Sequence, residues 1–154
     1  MNKKHTNEQR FSFVNSLYVR TRADYLLWEP LDFYLDSFSS DEEDLKKILN
    51  EFVHNEKYIY EPNKSFFYNN DNCYIFAVSH HHPEINERRC TLLLSNEFHY
   101  PMVFVDSYNE TSNKTREFLF MLFDTIKDRY DFWLELDLGE RGPLGTTVRR
   151  LLSE

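Results

Sequence analysis

Apolar residues recur along this chain in two rhythms, and the rhythms divide it into helices and strands. Phe11, Val14 and Tyr18, flanked by Leu17, share one helical face, and Thr6 with Gln9 forms a capping box, in which side chains and backbone at a helix start satisfy each other. A helix from about Asn7 to Arg22 follows. Ser40 and Glu43 repeat the capping box, and Leu45, Ile48, Leu49 and Phe52 recur at i, i+3, i+4 and i+7, a stripe wide enough to bury one face of a helix ending near His54. A third helix should start near Ser112 and run to about Arg129, with Phe118, Leu119, Leu122 and Ile126 on one face, widened by Phe120, Met121 and Phe123.

The other rhythm is extended. Tyr25 to Trp28 is a short apolar run stopped by Pro30, which suits a strand. Tyr58 to Tyr60 and Ser65 to Tyr68 precede the polar turn Asn69 to Asn72, so a hairpin should follow. Cys73 to Ser79, Cys90 to Ser95 and Met102 to Asp106 read as further strands. Phe132, Leu134, Leu136 and Leu138 alternate with Trp133, Glu135 and Asp137, a period of two that reads as a strand, with a continued helix as the alternative. Leu31 to Phe38 fits neither rhythm decisively, and Thr147 to Ser153 looks like a short final helix. The resulting fold class is α+β: an antiparallel β-meander of about four to six strands packed against two or three amphipathic helices. With 154 residues the chain reads as a single domain, residues 1–5 forming a flexible tail. There is no internal repeat or linker.

Composition supports a packed interior, since 41% of residues are hydrophobic and 17% aromatic. No run of apolar residues is long enough to cross a membrane, and the polar N-terminus has no apolar stretch behind its lysines, so the expected location is cytoplasmic. Two cysteines, Cys73 and Cys90, suit a reducing compartment and are too few for a disulfide framework. The net charge of −8 is uneven: Glu29 to Glu61 holds ten acidic residues against three lysines. Asp41, Glu42, Glu43 and Asp44, with Glu51, make a candidate acidic patch for a protein partner with a basic surface. Such a field repels nucleic-acid phosphates, so no direct nucleic-acid binding is expected. The plain alternative is a solvated helix face, and acids in a first helical turn also suit the helix dipole.

Two stretches have the makings of a site. Gly139, Gly142 and Gly145 concentrate all the chain's glycine in seven residues, beside Arg141, Thr146, Thr147 and Arg149. Between a strand and a helix, such a loop would turn amide groups toward an anion. It is neither a P-loop nor a dinucleotide fingerprint, and the plainer reading is a tight connection that needs positive φ angles. His80 and His82 would point the same way from extended backbone, and with Cys90, His99 or Glu84 they complete a possible zinc set, though no familiar zinc spacing is present. An exposed polar loop is the plain alternative. The histidines lack the spaced hydroxyl residues of a two-histidine phosphodiesterase, there is no G-x-S-x-G elbow, and no catalytic residue is assigned.

The sequence therefore points first to a non-catalytic acidic protein-binding module. A small inhibitor, immunity or antagonist protein that masks a basic surface on a nucleic-acid enzyme or toxin fits this description. The alternative is a small enzyme or sensor that takes a phosphorylated or nucleotide ligand, or a metal, through the 139–147 loop or the histidines at 80–82. No cofactor is implied beyond possible zinc.

Overall fold

The computed structural model describes residues 5–36, 47, 49–51, 53, 57–70, 73–95 and 101–141, with positions 70, 101 and 137–141 described by backbone alone. Helix α1 (Asn7–Arg22) starts where the sequence places it: Thr6 Oγ1 accepts from the Gln9 amide at 3.1 Å, and the Thr6 amide donates to Gln9 Oε1 at 2.8 Å. Strand β1 (Glu29–Pro30) leads into α2 (Leu31–Asp36), which buries Leu31, Tyr34 and Leu35. Lys47, Leu49, Asn50, Glu51 and Val53 are helical. Strand β2 (Ile59–Tyr60) and a 3-10 turn (Pro62–Lys64) precede β3 (Phe66–Asn70), β4 (Cys73–His82), β5 (Glu87–Ser95), β6 (Pro101–Asp106) and α3 (Asn113–Arg141).

The α+β architecture of the sequence reading is present. One six-stranded antiparallel sheet has the order β1-β3-β4-β5-β6, with β2 also pairing to β4. Its two faces are covered by different helices. Phe66, Ile75, Ala77, Cys90 and Leu92 pack with Val14 and Leu17 of α1 and with Leu119, Leu122, Phe123 and Ile126 of α3. Phe67, Phe76, Val78 and Leu93 pack with Leu31, Tyr34 and Leu35 of α2 and with Leu49 and Val53. Covering both faces explains why β4 is buried without interruption from Ile75 to His80. A strand with one wet face would alternate instead.

Strands β2 and β3 share one edge of β4 end to end, and side chains splice the gap between them. Ser65 Oγ accepts from the Ser79 amide at 2.9 Å and donates to the Glu61 carbonyl at 2.8 Å, while Ser79 Oγ donates to Glu61 Oε1 at 2.9 Å. The splice thus satisfies a buried strand amide that neither neighbouring strand reaches.

Four expectations need correction. Tyr25 to Trp28 is a bend and an irregular stretch rather than a strand, and the ladder begins only at Glu29. The strand expected over 132–138 is the second half of α3, which runs unbroken for 29 residues. No proline or glycine interrupts it before Gly139, and Leu and Glu are good helix formers, so the alternating pattern leaves apolar residues spread around a helix instead of aligned on a strand. His80 to His82 extend β4 rather than forming an exposed loop, pairing with Arg89, Arg88 and Glu87 of β5. Gly139 and Arg141 belong to the last described turn of α3, not to a loop. By contrast, Ser112 caps α3 as its sequence suggests, with its Oγ accepting from the Thr115 amide at 3.3 Å.

The connection into α3 carries two buried carboxylates. Glu110 accepts from Arg10 at 2.7 and 3.1 Å and from the Ser112 amide at 3.1 Å. Burial pushes this carboxyl up, but the Arg10 and Ser112 hydrogen bonds outweigh it and hold the group below its ordinary value. Asp106, at the end of β6, binds Arg89 through both oxygens and also accepts from Thr91 Oγ1 at 3.3 Å and from the Tyr108 amide at 3.2 Å.

Candidate functional site

The feature that stands out is a groove where the end of α1 meets the second half of α3. Helix α1 stops at Ala23, and Asp24 takes a left-handed backbone conformation (φ 61°) that only a few non-glycine residues adopt readily. The turn aims the Asp24 carboxylate at α3. Arg129 Nε and Nη2 donate to its two oxygens at 2.8 and 2.7 Å, and Trp133 Nε1 donates to Oδ1 at 3.2 Å. The Arg129 hydrogen bond holds the Asp24 carboxyl below the usual carboxylate range. Arg129 also lies over the Phe132 ring, 4.4 Å from its centroid.

From Asp24 the chain crosses toward the sheet with Leu26 and Trp28 turned inward, while Tyr25 and Leu27 stay 80% and 62% exposed. Trp28 Nε1 donates to the buried Thr21 Oγ1 at 3.0 Å, fixing the indole against α1. Between this segment and α3 lies a cavity of about 300 Å³, walled by Leu26, Leu27, Trp28 and Glu29 on one side and Ile126, Arg129, Tyr130, Trp133 and Leu134 on the other. Trp133 and Leu134 of its lining keep 44% and 40% exposure. The lining is apolar with few polar groups, as in sites that take an apolar group from a ligand or partner. Both tryptophans of the chain belong to it.

A second, polar depression of about 260 Å³ flanks α3 on its other side, lined by Lys64, Arg88, Phe123, Asp124, Lys127, Asp128 and Asp131. One ion pair crosses it, Arg88 of β5 to Asp124 at 2.7 Å, and a second runs along α3, Lys127 to Asp131 at 3.0 Å. Helix α3 is thus a ridge between an apolar groove and a charged one.

The histidines are placed by the interior. His80 is 3% exposed, and its Nε2 donates to the Val53 carbonyl at 3.0 Å. Burial lowers its pKa, which favours the neutral ring. The ring of His82 meets Tyr58 edge-on at 5.2 Å. Arg89 lies beside the rings of Tyr58 and Tyr108, which meet edge-on, 5.3 Å from each centroid, while Asp106 grips its guanidinium. Cys90 belongs to the cluster under α1 and α3, whereas His80 reaches Val53 on the opposite face, so Cys90 cannot complete a set with the histidines. Burial pushes the Cys90 thiol up to about 12. Both cysteines are free thiols. Among the described residues no group of three or more His, Cys, Asp or Glu side chains is arranged to hold a metal, and no helix is long and apolar enough to cross a membrane.

Several sequence-derived candidates are not brought together. Asp41, Glu42, Glu43 and Asp44 lie outside the described residues, as do His99, Gly142, Gly145, Thr146, Thr147 and Arg149. Glu51 is helical and exposed. Gly139 and Arg141 stand at the end of α3 farthest from its N-terminus, where a helix dipole disfavours anions. Comparison with protein-family models, curated proteins and solved structures found no match.

Proposed function

We propose that this chain is a non-catalytic protein-binding module that masks a basic surface of its partner, as a small inhibitor, immunity or antagonist protein does. The observation that carries the reading is the half-open apolar groove of Leu27, Trp28, Trp133 and Leu134 on a chain of net charge −8. Apolar and aromatic anchors in a desolvated pocket supply most of the affinity of a protein interface, while the surrounding charge sets encounter rate and partner choice. An acidic field favours a cationic partner and works against free nucleic acid.

The test is a photo-crosslinking amino acid placed at Leu27 or Leu134 in the native host, with the same probe at Ile85, an exposed residue of the β4–β5 turn, as control. One basic protein should be captured from both groove positions and not from Ile85. Equal labelling from all three positions would refute the proposal, as would stoichiometric zinc or a nucleotide-dependent turnover in untagged protein.

A further inference from the structure

Leu27, Trp133 and Leu134 line a cavity of about 300 Å³ and stay exposed. An apolar cavity of roughly 150 Å³ takes a benzene ring, so this one has room for a pair of leucine side chains. Of the chain outside the described residues, one segment is tethered to the groove. Residues 1–4 leave α1 at the end opposite Asp24, about 24 Å away along a helix of 16 residues. That is farther than four residues stretch at about 3.5 Å each. The stretch between α2 and β2 is anchored by Leu49 and Val53 on the other face of the sheet. The turns after Asn70 and Ser95 are closed by the pairs Asn70 with Cys73 and Ser95 with Pro101. Residues 142–154 instead continue α3, the helix that forms one wall of the groove.

The sequence of this segment suits a return along α3. Gly142 and Pro143 directly follow the last described helical residue, and glycine followed by proline is a common way for a helix to stop. Leu134 lies about 10 Å back along the axis from Arg141 at 1.5 Å per residue, while residues 142–147 stretch to about 20 Å. Val148, Leu151 and Leu152 then recur at i, i+3 and i+4, with Arg149 and Arg150 off that face. A helix over residues 147–153 is about 10 Å long, close to the roughly 12 Å from Ile126 to Leu134 along α3.

We infer that residues 142–154 turn back along α3 and seat Leu151 and Leu152, flanked by Val148, in the groove between Trp28 and Trp133. The chain thus carries its own strap over the groove, and a partner that uses the groove displaces it. Seating is a property of the free chain, whereas displacement rests on the protein-binding reading above. A tethered segment competes at the effective concentration its short linker sets. A partner's apparent affinity is then reduced by the fraction of molecules whose groove is open.

The test uses purified full-length protein, with isotope-labelled and unlabelled copies mixed equally. A photo-crosslinking amino acid at Leu151 should link within one chain to residues 26–29 or 126–134, as mapped by mass spectrometry. Leu27→Ser should lower that yield by about threefold or more, since an apolar anchor carries much of the energy of such a contact. The same probe at Arg149 should give few of these links. Val148→Ser with Leu151→Ser and Leu152→Ser should raise acrylamide quenching of the tryptophan emission by about twofold, as the fraction of open grooves grows. Circular dichroism should stay near the parent's, because these positions follow α3. Links between labelled and unlabelled chains would give the groove to a second copy and overturn the inference. Links from Leu151 to residues outside the groove, equal linking from Arg149, or quenching unchanged by the three serines would overturn it as well. The two readings fail separately: capture of a basic protein from Leu27 and Leu134 without the intrachain link removes the strap alone, whereas the intrachain link without capture removes the protein-binding reading alone.

Discussion

Two arginine–aspartate forks use the same chemistry in different surroundings. Arg89 and Asp106 meet inside, with side chains 20% and 4% exposed, beside two tyrosine rings. Arg129 and Asp24 meet at the rim of the groove, 27% and 26% exposed, with an indole as the third member. Asp106 answers to a guanidinium, a hydroxyl and a backbone amide, and so fixes how β6 turns toward α3. Asp24 answers only to side chains of α3, and so fixes how two helices flank an opening. Desolvation separates the two roles: removing one partner of an interior pair strands a charge, while water readily replaces a partner at the rim.

The sharpest way to break this contrast is Asp106→Ala, which should lower unfolding free energy in urea by about 3–5 kcal/mol because Arg89 loses its counter-charge in a buried site. Pairing it with Arg89→Met should restore a large part of the loss. A cost below about 1 kcal/mol for the single change would show that the interior fork behaves like a surface pair.

Next in size is an acid effect centred on His80. Burial depresses its pKa, so below about 6.5 the unfolded chain takes up a proton that the folded state resists, and stability falls as pH drops. The urea midpoint should decline from pH 7.5 to pH 5.5, and His80→Gln should flatten the decline. An unchanged slope would mean that His80 is not a major source of it. Asp24 and Glu110, with lowered pKa values, contribute stability that is intact above the ordinary carboxylate range and lost only as pH falls through their folded values.

A smaller effect on stability, with a larger optical one, is expected for Asp24→Asn. Asparagine tolerates the left-handed backbone, so the change should move the melting temperature far less than Asp106→Ala while making Trp133 more accessible to acrylamide quenching. Unaltered quenching would show that the fork does not hold the groove. Smallest of all, Cys73 should react with a thiol reagent in the folded protein while Cys90 stays protected, since only Cys90 is fully buried with its thiol pushed up to about 12.

Much of the scaffold was legible because its signals are local. The Thr6–Gln9 box, the Ser112 cap and the apolar runs of β4 and β5 each declare an element within a few residues. The length of α3 was read wrongly because Phe132, Leu134, Leu136 and Leu138 alternate with polar neighbours, and in a helix that alternation leaves Phe132, Trp133 and Leu134 partly outside the core. That same departure creates the groove, which joins positions about a hundred residues apart and has no signature in either segment alone. The clue present in the sequence was two adjacent aromatics, Phe132 and Trp133, on a stretch with no strand-ending turn before Gly139. The histidines misled because three polar rings in a row resemble a loop, whereas β4 carries them to its end by pairing them with Arg89, Arg88 and Glu87 of β5.

The serine splice between β2 and β3 has a mechanical corollary. Because the two short strands hold one edge of β4 without sharing a ladder, the sheet can unzip there in two stages. The β2 side, tied by Tyr60 to Asp32, can part from β4 while the β3 hairpin stays closed. Amide exchange at Ser79, whose proton rests on a hydroxyl, should therefore be faster than at Phe76 or Ala77, marking a built-in seam across an otherwise continuous sheet.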